Sequence, residues 1–341
     1  MGGVGRRFPF PIPFGWFCVA MEGDLERGDV MATRYFGRAL AVWRDESGDH
    51  HVHDAHCPHL GAHLGIGGTV HGGELTCPFH GWRFDGRGVC TNIPYSERLN
   101  DEARLQTYPV IVRNRFVFAW YHPHDGTPTW DLPEQREVGD PAWTDYHSSS
   151  FVIRTVPQEM SESGVDPAHF TPARFKHVHG TDTVAEMLSY DTEGPCSVML
   201  SKQSYVTPKG IEWGRIDVYN HGPGFSRVFF EIPGVVDAWN LACTTPIDDE
   251  TTQVRFNLLV QRHPDPEFTD TIADAFVREI NKQVNEDAPI WERKSFVPVP
   301  GLADIGGPIL KFRKWYRQFY ADRDDETRAS CARCDSDVTV S

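Results

Sequence analysis

The chain has 341 residues, so a soft prior of ~150 residues per domain gives about two domains and enough core to bury a site. Thirty-three Lys and Arg against 48 Asp and Glu leave a formal net charge of −15, which argues against nucleic acid or anionic lipid as the main partner. Charged residues at 24% and hydrophobic ones at 40% are ordinary soluble usage, which excludes wholesale disorder and a membrane-embedded chain.

Arg6 and Arg7 lead into an apolar stretch that imitates a signal peptide, but Pro9, Pro11 and Pro13 break it and no small-residue cleavage site follows. No run approaches the ~18 uncharged apolar residues of a spanning helix, so the expectation is a cytoplasmic protein without a membrane span. Residues 14–125 read as short strands at 39–43, 51–53, 74–76, 106–113 and 115–121, punctuated by glycine. They make a small all-β domain, expected over 1–126, followed by a Pro-rich polar connector at 127–142. A second domain, expected over 143–322, shows strands at 149–156, 197–205, 212–219, 226–231, 236–244 and 252–262, read as one large antiparallel sheet. Between its first two strands, 158–179 is irregular or helical, and 268–294 is a long helix. The polar, acidic end, 323–341, is expected to be disordered. The fold class is therefore α+β, with an all-β first domain and a sheet-and-helix second one.

Cys57-Pro58-His59 is followed by 17 residues and then Cys77-Pro78-Phe79-His80. Two thiolates and two imidazoles close a tetrahedral zinc site, and they equally fit a [2Fe-2S] cluster in which two histidines replace two cysteines on one iron. Zinc knuckles pair like with like, whereas here each loop supplies one Cys and one His, which favours the cluster. Cys57 and Cys77 would then hold the inner iron, and His59 and His80 the outer one. Gly61, Gly65, Gly67, Gly68 and Gly81 allow tight turns around it. CPHLGAHLGIGG and CPFHGWRFDGRG resemble the two binding loops of Rieske proteins. A lone Rieske ferredoxin would end near residue 120; here more than 200 residues follow.

Those residues carry a second constellation. Glu162-Ser163-Gly164-Val165-Asp166-Pro167-Ala168-His169 is followed by Lys176-His177-Val178-His179-Gly180, and two histidines near a carboxylate suit a facial triad on non-heme Fe(II). The segment resembles the E-N-x-x-D-x-x-H-x4-H motif of Rieske non-heme iron oxygenases, oxygenase component, with Ser163 in place of Asn. The second ligand position falls on Arg174, so 171–175 reads as an insertion. His177 and His179 compete for the role, and the family-like ending V-H-G favours His179. The third ligand is sought on the long helix. Ile272, Phe276, Ile280, Val284, Asp287 and Trp291 step by 4, 4, 4, 3 and 4, which puts Asp287 on the apolar stripe, where a carboxylate is costly unless bound. Asp287-Ala288-Pro289-Ile290-Trp291 also resembles the family's D-x-x-I-W, and Pro289 is expected to open the helix locally.

The resemblance implies a helix-grip catalytic domain and electrons that come ultimately from NAD(P)H through a separate flavin reductase or ferredoxin. It also implies a homotrimer in which Asp166 bridges His80 of one subunit and His169 of the next. Flanking segments around Phe8–Trp16 and 307–320 look most like the steroid-acting branch, which contains the 3-ketosteroid 9α-hydroxylase oxygenase component and the cholesterol 7-desaturase. Hydroxylation of a hydrophobic, steroid-like substrate with O2 is the expected reaction; desaturation and O-demethylation are the alternatives on the same scaffold. The rival outside catalysis is a Rieske electron carrier with a lipid-binding appendage. Cys18, Cys90, Cys196 and Cys243 read as ordinary thiols, and the C-x-x-C pair Cys331 and Cys334 lacks a surrounding strand and helix.

Overall fold

The structure is a computed structural model that describes residues 7–166, 185–207, 210–302 and 307–321. His169, His177, His179 and the acidic end lie outside the described residues. The amino-terminal half is built of β1 (Gly15–Met21), β2 (Val30–Tyr35), β3 (Arg38–Arg44), β4 (His50–Asp54), β5 (Thr69–His71), β6 (Glu74–Thr76), β7 (Arg83–Asp85), β8 (Cys90–Asn92), β9 (Thr107–Tyr108), β10 (Val110–Arg113) and β11 (Phe116–Tyr121). They form three antiparallel sheets in the orders β1-β11-β10, β2-β3-β4-β9 and β5-β6-β7-β8. The single strand expected at 106–113 is two, parted at Pro109, which has no N–H to give a ladder.

The carboxy-terminal half comprises β12 (His147–Ile153), α1 (Pro157–Ser163), β13 (Ala185–Glu193), β14 (Cys196–Thr207), β15 (Gly210–His221), β16 (Phe225–Ile232), β17 (Val236–Pro246), β18 (Thr252–Val260), α2 (Pro266–Trp291) and α3 (Ile309–Tyr316). One seven-stranded antiparallel sheet runs β12-β18-β17-β16-β15-β14-β13. β13 escapes the sequence pattern because its run is poor in β-branched residues and a register shift between Met187 and Ser189 breaks the alternation.

Alternation gives the sheet two faces. On β18, Val254, Leu258 and Val260 pack towards α2, whereas Leu259 joins Phe116, Phe118 and Trp120 of the first half. Arg255, on the same side as Leu259, donates to Tyr35 Oη (2.8 Å) and to the Cys18 carbonyl (3.2 Å), and Thr245 Oγ1 donates to that carbonyl at 2.7 Å. The halves thus share a core. The 127–142 stretch is packed into the same seam: Leu132 is buried there and Trp16 Nε1 donates to the Trp130 carbonyl (2.7 Å).

α2 starts where Asp265 accepts from the Glu267 N–H, with Pro266 in the first turn where no donor is missed. The expected stripe faces the sheet: Val284, Asp287 and Trp291 are buried, and Ile272, Phe276 and Ile280 pack on Ala238, Leu258 and Val260. Pro289 does not open the helix, contrary to expectation; α2 continues to Trp291, whose packing against Ile153 and Val254 holds the final turn. Arg7 fastens that end, donating to the carbonyls of Trp291 (3.2 Å), Glu292 (2.6 Å) and Arg154 (2.8 Å). Among the described residues no helix is long and apolar enough to cross a membrane.

Candidate metal centres

The loop after β4 and the loop between β6 and β7 fold alike. In the first, Cys57 N donates to Ala62 O (2.9 Å) and Gly61 N to Cys57 O (2.9 Å); in the second, Cys77 N donates to Trp82 O (2.8 Å) and Gly81 N to Cys77 O (3.1 Å). Gly61 and Gly81 close these turns at φ of +77° and +70°, a conformation that disfavours any side chain. Each loop buries its thiol in one core with Trp43, Leu64, Leu75, Trp82 and Phe84, and Cys57 and Cys77 are each only 3% exposed. The histidines sit further out. His59 and His80 are half-buried, with ring centroids 4.8 Å apart, and His59 lies flat on Trp82 at 4.5 Å and 7°. Trp82 Nε1 in turn donates to Tyr95 Oη (2.7 Å).

A buried thiol pair beneath an imidazole pair is the donor set of a [2Fe-2S] cluster with two nitrogens on its outer iron. His80 Nδ1 is buried without a hydrogen-bond partner, a defect that metal ligation would repair. Burial pushes the Cys57 thiol up to about 11, against a lowering by the His59 backbone N–H, and the neighbouring Cys77 adds to the rise. Without metal the thiol stays protonated at neutral pH, so loading releases a proton. Among the described residues no three His, Cys, Asp or Glu side chains converge on one point, whereas a binuclear cluster asks only two protein ligands per iron.

The segments of the second candidate site are joined across 128 residues. Trp291 Nε1, in the last turn of α2, donates to Ser163 Oγ at the end of α1 (3.1 Å). Asp287 lies one turn before Trp291 and Asp166 three residues after Ser163, so this bond joins the two segments that the sequence singles out. Asp287 is 9% exposed and Asp166 is half-buried. Two ion pairs lock α1 in place: Glu162 receives Arg313 of α3 at 2.6 and 2.7 Å, and Glu159, 1% exposed, meets Lys294 at 2.5 Å. Burial raises Glu159 above the usual carboxylate range, and Lys294 opposes it. The roles of Trp82, Ser163, Lys294 and Arg313 escape a reading by motif because their partners are distant in sequence. Ser163 is visible there only as a substitution within the motif.

A cluster-binding all-β domain fused to an antiparallel sheet gripped by a long helix defines the oxygenase component of a Rieske-type enzyme. Residues 15–109 match the Rieske [2Fe-2S] domain and residues 119–320 the 3-ketosteroid 9alpha-hydroxylase C-terminal domain; the latter covers more than half of the chain, which belongs to that family. The chain is 30% identical to cholesterol 7-desaturase nvd 1 of Ciona intestinalis, over 94% of this chain and 71% of that protein. It is also 30% identical to a probable 3-ketosteroid-9-alpha-monooxygenase, oxygenase component, of Rhodococcus rhodochrous, over 91% of this chain and 80% of that one. Its fold resembles dicamba monooxygenase bound to dicamba (TM-score 0.66, 17% identity, 89% of this chain and 96% of that one). A second likeness is to NdmA of Pseudomonas putida CBB5 with caffeine (TM-score 0.66, 19% identity, 92% and 90%). The chain is therefore an O2-dependent oxidoreductase whose cofactors are a Rieske [2Fe-2S] cluster and a mononuclear non-heme iron, and it works with a separate electron-donating protein.

Proposed function

We propose that this chain is the terminal oxygenase of a steroid hydroxylase, with Cys57, His59, Cys77 and His80 holding the cluster and His169, His179 and Asp287 the mononuclear iron. The observation that supports the reading is the Trp291 to Ser163 bond, which ties the end of the helix carrying the buried Asp287 to the end of α1, in a chain that also carries the paired cluster loops. Bound there, the cluster supplies single electrons and the ferrous ion a site for O2 reduction. Overall, R–H, O2, two electrons and two protons become R–OH and water. Asp287 supplies the anionic donor of the triad, and the apolar sheet face behind it, with Val254, Leu258 and Phe256, keeps water away.

Asp166 would bridge His80 of a neighbouring subunit and His169 of its own, holding both imidazoles in one tautomer. The cluster face suits such an assembly: Leu60, Ile66, Phe79 and Tyr95 are all exposed around the histidines, Phe79 by 61%, which is an apolar rim for a second copy of the chain in a homotrimer. The electron-donating partner is a ferredoxin or flavin reductase that draws on NAD(P)H, and the location is the cytoplasm.

The test is to incubate reduced, iron-loaded protein with a steroid panel under 18O-labelled O2 and weigh the products. Incorporation of one labelled atom into a steroid supports hydroxylation; loss of two hydrogens without label identifies a desaturase, the activity named for the Ciona relative. Fewer than about three irons per chain with no turnover returns the chain to the carrier class.

A further inference from the structure

We propose that residues 295–302 after α2, the last turn of α2 and the outer side of α3 together form a docking face for an anionic lipid bilayer. Val297, Val299 and Leu302 protrude from this loop, Val299 with 86% of its surface exposed, and Ile290 on α2 and Leu310 on α3 are exposed beside them. The loop is held out by its roots, since Phe296 N donates to Arg7 O (3.0 Å) and Arg313 donates to Val297 O (2.7 Å) while covering the Phe296 ring at 4.6 Å. Valines fixed in that manner gain nothing from the protein itself and are free to enter an apolar medium.

Charge selects the occupant. The chain carries −15 overall, yet residues 290–321 hold six Lys or Arg and only two carboxylates, Glu292 and Asp304. Lys294 and Arg313 are consumed by Glu159 and Glu162 and Lys311 meets Asp191 at 3.4 Å, which leaves Arg293, Lys314 and Arg317 exposed. Leu310 and Lys314 follow at i and i+4 on the side of α3 opposite Phe312 and Trp315, which are buried, and Arg317 caps the end of the helix. An apolar tip flanked by cations matches a bilayer bearing anionic headgroups, where each basic side chain near the surface adds to binding. Ile290 lies within one turn of Asp287, so a lipid-dissolved substrate would enter near the end of α2 that bears the candidate iron ligand. That use rests on the steroid reading; the binding itself does not.

Flotation of the full-length, iron-loaded protein with vesicles of phosphatidylcholine containing roughly 30% phosphatidylglycerol tests the proposal. Binding is expected, weaker by about tenfold on pure phosphatidylcholine and weaker by about tenfold again in Val299→Asp and in the Lys314→Glu/Arg317→Glu pair, with cluster absorbance and melting temperature unchanged. Failure to bind the anionic vesicles, or binding indifferent to both variants, overturns it. Binding that appears only after residues 322–341 are removed would assign the face to the chain's own acidic end and overturn it as well. So would a change of oligomeric mass in Val299→Asp, which would assign the face to a second copy.

Discussion

At the scale of single residues, the cluster site divides into atoms that would hold metal and atoms that orient them. His59 lies flat on Trp82, and Trp82 is fixed by its bond to Tyr95. Replacing Trp82 by Ala removes the surface against which the imidazole rests. The expected result is a folded protein whose visible cluster absorbance decays severalfold faster in air, whereas Trp82→Phe retains most of the lifetime; equal lifetimes in all three would deny the role. The four candidate ligands stand out in the sequence because each loop holds its Cys and His within four residues, at a spacing that physical chemistry restricts, and the structure brings the two loops together. Trp82 and Tyr95 do not, since an aromatic two residues after a candidate ligand and another thirteen residues further on are equally at home in any core.

At the scale of elements, α2 shows what periodicity can and cannot convey. Its stripe put Asp287 on the sheet side, where the structure has it. The opening expected at Pro289 does not occur, because Trp291 packs and hydrogen-bonds strongly enough to carry the helix past the missing donor. β13 was invisible because a bulge cancels its alternation. Asp287→Ala should abolish turnover and mononuclear iron while leaving the cluster spectrum intact, as read by metal analysis and absorbance on one sample; loss of the cluster as well would refute the assignment. Separate His177→Ala and His179→Ala variants decide the remaining ligand, and the expected loss of iron falls on the His179 variant. β18 joins the halves through Arg255, so Arg255→Met leaves the Cys18 carbonyl with one donor fewer and Tyr35 without its cation. A loss of about 2 kcal/mol in denaturant unfolding is expected, with the cluster and the mononuclear iron retained.

At the scale of the whole molecule, stability is tied to buried imidazoles. Burial pushes His53, 0% exposed beneath Trp43, down to about 4, against the ordinary value of about 6.5, and its bond to the Gly86 carbonyl only partly opposes this. The unfolded chain binds this proton more tightly than the native one, so stability is full above about pH 6.5 and falls as pH drops towards 4, by about 3 kcal/mol in all. Asp45 extends the loss to lower pH: although burial raises it, bonds from Ser47, His51, Gly48 and Asp49 hold it below the usual carboxylate range. Melting curves between pH 7.5 and 4.5 should show the decline, and His53→Gln should make it shallower, the rest falling to His221, which burial also lowers; an unchanged slope would remove His53 from the account.

The two cluster loops also bear on how the site could be altered. Their turns are closed by main-chain bonds, Gly61 N to Cys57 O and Gly81 N to Cys77 O, in which no candidate ligand side chain takes part. A ligand can therefore be exchanged without redrawing the backbone that presents it. His80→Cys, which would offer the outer iron a thiolate, should keep the parent's far-ultraviolet dichroism while changing the visible spectrum; a collapsed dichroism would show that the side chain carries the loop.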